Sequence, residues 1–261
     1  MMTEFDFNDG NGPVPAHKHS NGGGWVADTA TVTDTAYVGS DAWVYGNARV
    51  YDNAVVFGDA QVCDNAQVYG KAKVYDKVKV YEKAKISGDV WVYGKASVAG
   101  VAQVHGNAWV YGNALVFGNA QVYGKAKVYG DASVDMSAQV FGNAWVFGNS
   151  IVYGKAKVYD FVQVSGNAAV SGNAVVSGDA EVFDDAKVSG DAEVFGNAQV
   201  YGKAKVYDKA QVYDFAQVSD NAWVFGHSKV YGKAKVYELA QVSGKAVICD
   251  YAHAYSKVYV E

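Results

Sequence analysis

The sequence predicts an all-β chain built as one solenoid, and three observations predict it. Valine returns every sixth residue from Val26 to Val260, with only Ile86, Ile248 and Ala254 in its place. Alanine stands two places before nearly every one of them. The typical unit, clearest from Gly106 to Ala126, follows its valine with Tyr or Phe, then Gly, then Asn or Lys. That series makes forty hexads without an insertion or deletion, and a fixed short period takes precedence over any motif search.

Each part of the hexad has a local reason. In Ala-x-Val-Tyr the side chains alternate, so Ala and Val face one side and x and Tyr the other. Gly-Asn or Gly-Lys then breaks the strand, because Gly and Asn tolerate the positive φ of a sharp corner. Four-residue strands joined by two-residue corners suit a solenoid in which Ala and Val point inward and each strand stacks on the next coil. Three hexads per coil would give a triangular prism of 18 residues per turn. The spacing leaves the number per coil and the hand open.

Val-x-Gly-Asn-Ala-x resembles the hexapeptide repeat of left-handed parallel β-helices, over residues 25–261. That resemblance implies three hexapeptides per coil, a left hand against the usual crossover rule, about 13 coils, and a prism about 60 Å long at about 4.8 Å per strand. The chain departs from the family in placing Gly two residues after the aliphatic position instead of one. The junction Gly-Gly-Gly-Trp-Val-Ala-Asp-Thr-Ala-Thr-Val, residues 22–32, resembles the start of phage and prophage hexapeptide-repeat proteins of unassigned function, which implies a virus-related origin.

Residues 1–24 are different material and form an expected cap segment, followed by the β-helix at 25–261. They carry Pro13 and Pro15, His17 and His19, and Gly22 to Gly24. A solenoid end exposes apolar side chains and unpaired edges, so it needs a cover, and Phe5 and Phe7 are the candidates to lie across it. At the other end Val260 completes the series, and an uncapped end there would invite end-to-end association.

Steps of 18 separate three faces. The first carries Val38, Val56, Val74, Val92 and Val110; its outward columns hold Phe57, Tyr75, Tyr93, Tyr111, Tyr129 and Phe147 after the valine, and Trp91, Trp109 and Trp145 before it. Phe183, Tyr201, Tyr237 and Tyr255 continue the column. The second has Tyr51, Tyr69, His105, Tyr123, Phe141 and Tyr159 beside Gln103, Gln121 and Gln139. The third is mixed, with Trp43, Tyr45, Leu115, Phe117, Ile151 and Tyr153. Charges fall in belts, basic around Lys71 to Lys85 and acidic around Asp179 to Glu193. Asp185 and Asp191 precede Lys203 and Lys209 by one coil, so ion pairs are expected there as register pins.

Composition limits the functions. A net charge of −5 gives no case for nucleic acid or an anionic membrane surface. No apolar run reaches membrane length, and the first 24 residues lack the basic start and apolar centre of a signal peptide, so a cytoplasmic or virion-associated location is expected. Cys63 and Cys249 lie too far apart along the coils to bridge. Hexapeptide acyltransferases carry a histidine on a projecting loop, and related carbonic anhydrases bind zinc through three histidines. His17, His19, His105, His227 and His253 are scattered here, no loop interrupts the hexads, and His17 and His19 read as exposed polar residues of the cap. No catalytic residue, metal or cofactor is expected. The residues expected to bind are Trp91, Tyr93, Trp109, Tyr111, Tyr129, Trp145 and Phe147. Their expected partner is another copy of the chain, or alternatively the sugar rings of a polysaccharide, and an acyltransferase-like enzyme ranks third; the same columns also read as a packing device alone, with rings supporting one another across strands.

Overall fold

From Gly46 to Asp250 each hexad ends in a residue held in the left-handed backbone region, and that corner fixes the path of the chain. The computed structural model describes residues 3–261. Two places after the inward valine φ is positive: Gly94 has φ 77° and Gly154 φ 76°, while Asp76, at 61°, and Glu82, at 58°, take the same place. Glycine enters this region at no steric cost, and Asp is among the few others that visit it. Space matters as well as φ, since a Cβ on Gly94 would lie 3.0 Å from the backbone nitrogen of Gly112.

Between corners the x-Val pairs form short strands that stack in parallel on residues 18 further along, as in Trp91 on Trp109 and Val92 on Val110. Over the chain this makes a β-solenoid of about thirteen turns, with no helix among the described residues. It divides into two compact units, Met1–Lys125 and Ala126–Glu261. In the first unit the first-face ladder runs from Tyr37–Val38 to Trp109–Val110, the second from Thr31–Val32 to Gln121–Val122, and the third from Trp25–Ala27 to Leu115–Val116. In the second unit the corresponding ladders run from Lys127–Val128 to His253–Ala254, Gln139–Val140 to Val247–Ile248, and Ser133–Val134 to Lys257–Val260.

The core of each unit is the inward alanine and valine columns. Ala48, Val50, Val92 and Val182 are wholly buried, as are the β-branched Val78, Val90 and Val162 that stand in alanine's place. Each buried valine contributes about 1.5–3 kcal/mol, gross, against the ordering of its backbone. Ser150 and Ser228 replace alanine without leaving an unpaired hydroxyl. Their Oγ atoms donate to the carbonyls of Phe147 and Phe225 at 2.8 Å.

The head extends the third face of the first unit. Strand β1 (Glu4–Phe5) pairs antiparallel with β2 (Val14–Lys18), and β2 with β3 (Trp25–Ala27). Phe5 and Phe7 therefore do not cross the open end as the sequence suggested. Opposed residues of an antiparallel pair share a face, so the outward side chains of the hairpin join the outward side of β3. Phe5 stacks on Trp25 at 4.3 Å, and the buried Phe7 stacks on Tyr45 at 4.9 Å. The end over Val38 is closed instead by the backbone of residues 19–24. The Gly24 N–H donates to the Val38 carbonyl at 2.9 Å and the Asn21 amide to Ala36 O at 3.0 Å. His19, expected to be exposed, is 6% exposed and its Nε2–H donates to Ala36 O at 3.1 Å. His17 stays exposed, its Nδ1 2.9 Å from the Asp28 carboxylate.

Two further expectations are corrected. The inward series ends at Val258, not Val260: the last strand pairs Val258 with Val242 and Tyr259 with Ser243, while Val260 is 49% exposed. No residue of the Tyr255-Ser256 corner enters the left-handed region, and the register moves by two residues. The ion pairs Asp185–Lys203 and Asp191–Lys209 do not form. Asp185 and Asp191 accept from the amides of Asn167 at 2.9 Å and Asn173 at 2.8 Å on the preceding coil. A short neutral amide reaches a carboxylate one coil away without ordering a long lysine chain.

Val110→Asp puts a charge into the core, so circular dichroism should show lost β signal and a lower melting temperature. Gly94→Ala should cost about 1–2 kcal/mol in denaturant unfolding, and Gly94→Asp less, because Asp suits the left-handed corner.

Candidate aromatic interaction face

The outward columns are organised by the same 18-residue step as the core. In the first unit, Phe57, Tyr75, Tyr93 and Tyr111 form a column on the first face with ring centroids 4.7, 5.1 and 4.8 Å apart and planes within 8°. Beside it Trp91 and Trp109 stack at 5.5 Å. Of the expected binding residues in this unit, Trp91 and Tyr93 are half-buried, whereas Trp109 is among the exposed large side chains. In the second unit Tyr129 and Phe147 stack at 4.9 Å, and Trp145 is exposed beside them. Each unit thus carries its own part of the expected set.

Stacking changes what this surface offers. The ring faces, which carry the negative π charge, are turned toward the neighbouring rungs, and the positive edges point to solvent. Burial raises the Tyr93 and Tyr129 phenols above the ordinary tyrosine range, with the Asp76 carboxylate adding to the effect at Tyr93. These rings therefore stay neutral and present O–H groups along the outer edge. Lysines take further ring faces: the Lys73 ammonium lies 4.2 Å from the Trp91 ring centre, Lys127 4.6 Å from Trp145, and Lys205 4.5 Å from Trp223. Each pair is a lysine 18 residues before a tryptophan, a spacing present in the sequence. Such contacts are worth about 0.5–1 kcal/mol where exposed.

The corners add a second ladder that sequence reasoning missed. Where Asp replaces Gly, its carboxylate accepts the N–H of the corner residue one coil later. Asp64 takes Glu82 at 2.9 Å and Asp76 takes Gly94 at 3.0 Å; Asp160 takes Gly178 at 3.1 Å and Asp220 takes Glu238 at 3.0 Å. The signal was Asp recurring in the glycine place. Polar rungs on the faces work similarly: Gln217 donates to Gln199 at 3.1 Å and Gln199 to Glu181 at 3.0 Å. In the first unit Gln103 and Gln121 lie in register on the second face.

His105 continues a column in place of tyrosine. It stacks on Tyr123 at 4.9 Å, and burial holds its imidazole below the usual histidine range. Among the described residues no three His, Cys, Asp or Glu side chains converge as a metal site. Cys63 is a buried free thiol, and burial pushes its pKa up to about 11.

Not every column is filled. Ala99 stands between Tyr81 and Phe117, Ser165 between Phe147 and Phe183, and Ser219 between Tyr201 and Tyr237. A cavity opens at each of these places: about 360 Å³ at Ala99, 220 Å³ at Ser165 and 310 Å³ at Ser219. These gaps, invisible when aromatic residues alone are counted, are where the stack leaves ring faces uncovered.

Four stretches of the chain, 42–59, 108–124, 138–154 and 162–180, match the family model described as the YdcK β-solenoid repeat. Together with the parallel ladders they support a β-helix repeat architecture. The search of curated proteins gave no match.

The thiolate is the form of Cys63 that alkylates. Its reaction with iodoacetamide in the folded protein should therefore be slow at pH 8 and climb until about pH 11; a plateau by pH 9 would show the thiol is not shielded.

Proposed function

We propose that the chain is a non-enzymatic, rigid interaction module that associates with further copies of itself through its first face. The observation that carries this reading is the regular outer column, with rings fixed about every 4.8 Å and exposed tryptophans beside them, Trp109 in one unit and Trp145 in the other. A surface whose rotamers are already locked by stacking loses little conformational entropy when it docks, and tryptophan and tyrosine dominate interface energetics. Two-residue corners run through the hexads without the long projecting loop on which hexapeptide acyltransferases hold their histidine. A virus-related assembly role, suggested by the resemblance of residues 22–32, is compatible with this reading.

A polysaccharide partner is the second reading. Sugars stack on exposed ring faces, which the filled columns cover with neighbouring rings, so the sites favouring this reading are the gaps. At Ser219 the faces of Tyr201 and Tyr237 are accompanied by the polar groups of Gln217, Asp220 and Lys235.

Light scattering behind size exclusion tests the first reading. The chain should elute at a closed multiple of 27.8 kDa, and the Trp109→Ala, Trp145→Ala variant should weaken association at least tenfold. A monomer at all concentrations, with glycan binding lost in Tyr237→Ala at the Ser219 gap, would transfer the assignment to polysaccharide. Turnover of an acyl-CoA would overturn both.

A further inference from the structure

We infer that the partner of the first face in the second unit is a second copy of this chain, and that Phe161 and Phe215 of each copy insert into the gaps at Ser165 and Ser219 of the other. The inference rests on the self-association reading and gives it a geometry.

The receptor half is a missing rung. Filled columns in this unit place rings 4.9 Å apart, as in Tyr129 on Phe147 and Phe183 on Tyr201. Where serine interrupts the column, the flanking rings stand two coils apart, about 9.6 Å, which leaves room for one ring between them. The cavity at Ser219 is lined by both flanking rings, Tyr201 and Tyr237, and the one at Ser165 by Phe183. A phenyl ring entering one restores the stacking that the column makes elsewhere, with the offset geometry that aromatic pairs prefer.

The inserting half is on the same molecule. Phe161 and Phe215 project from corners at the leading edge of the first face and are 62% and 58% exposed. Their backbone is firmly placed: each follows a left-handed aspartate whose carboxylate holds an N–H of the next coil, Asp160 on Gly178 and Asp214 on Gly232. The two phenylalanines are separated by 54 residues, and so are the two serines. That is three coils of 18, or about 14 Å along the stack.

Equal spacing permits a symmetric fit. A two-fold axis parallel to the stacking direction and lying in the contact plane keeps heights and exchanges the two edges of the face. It brings the leading-edge Phe161 over the trailing column at the partner's Ser165, less than a quarter coil away in height, and Phe215 over the partner's Ser219. A two-fold across the stack would set corner against corner. The contact is isologous, so the four insertions occur together. Rings of this exposure and their slots would bury about 1,000 Å² in total, the lower range of a specific interface. The same axis sets Glu181 opposite the partner's Glu181, a like-charge contact that opposes association.

The experiment is sedimentation equilibrium on the full chain. Wild type should be a dimer, twice 27.8 kDa. Ser165→Tyr with Ser219→Tyr completes the column from within, so it should give a monomer whose melting temperature does not fall. Phe161→Ala with Phe215→Ala, a surface change safe for folding, should weaken the dimer at least tenfold, and Glu181→Gln should tighten it severalfold. A dimer unmoved by either double variant overturns the ring-in-gap geometry while self-association stands. Loss in the serine variant alone overturns phenylalanine as the occupant. A wild-type monomer overturns the self-association reading as well.

Discussion

The structure depends on one constraint: every side chain must tolerate an equivalent neighbour 18 residues away and about 4.8 Å above it. Valine on valine meets that condition in the core, where branched side chains interlock without a polar atom to satisfy. Glycine meets it at the corner, where the next coil's backbone stands 3.0 Å from the place a Cβ would fill at Gly94. Aromatic rings meet it outside because offset stacking works at that spacing. Like charges need a further partner: Lys205, in register with Lys187, reaches over Trp223, and Asp64 below Glu82 takes a backbone N–H.

A repeat of this kind makes stability nearly a sum of nearest-neighbour terms within each unit. The corner aspartates matter more in that setting than an exposed hydrogen bond usually does. A corner N–H points toward the preceding coil, where a glycine offers no side chain to receive it. Asp64 and Asp76 supply that acceptor for Glu82 and Gly94. The chain thus uses two main corner types: glycine for freedom of φ, and aspartate for a bond between coils at some cost in backbone strain.

Much of this was legible in the sequence. The period, the inward column and the three outward columns follow from counting, because a strict repeat leaves no freedom in which residues stack. What counting missed was departure from the period. The slip at Val258 arises from a corner two residues short, and the head from antiparallel pairing, which the hexad rule does not describe. The expected ion pairs failed because spacing says which residues adjoin but not which of several polar neighbours wins. Asn167 reached Asp185 first. A count of rings does not reveal that stacked rings hide their faces and that serine and alanine expose them.

The two serine gaps carry one last implication. Asp160-Phe-Val-Gln-Val-Ser165 and Asp214-Phe-Ala-Gln-Val-Ser219 differ at a single place. The protruding ring and the vacant rung are written in the same short phrase, four residues apart. A chain that lengthens by copying whole turns copies both together, and the distance between two rings then equals the distance between two vacancies automatically. Matching surfaces of this kind need no separate selection for fit; they are inherited with the turn.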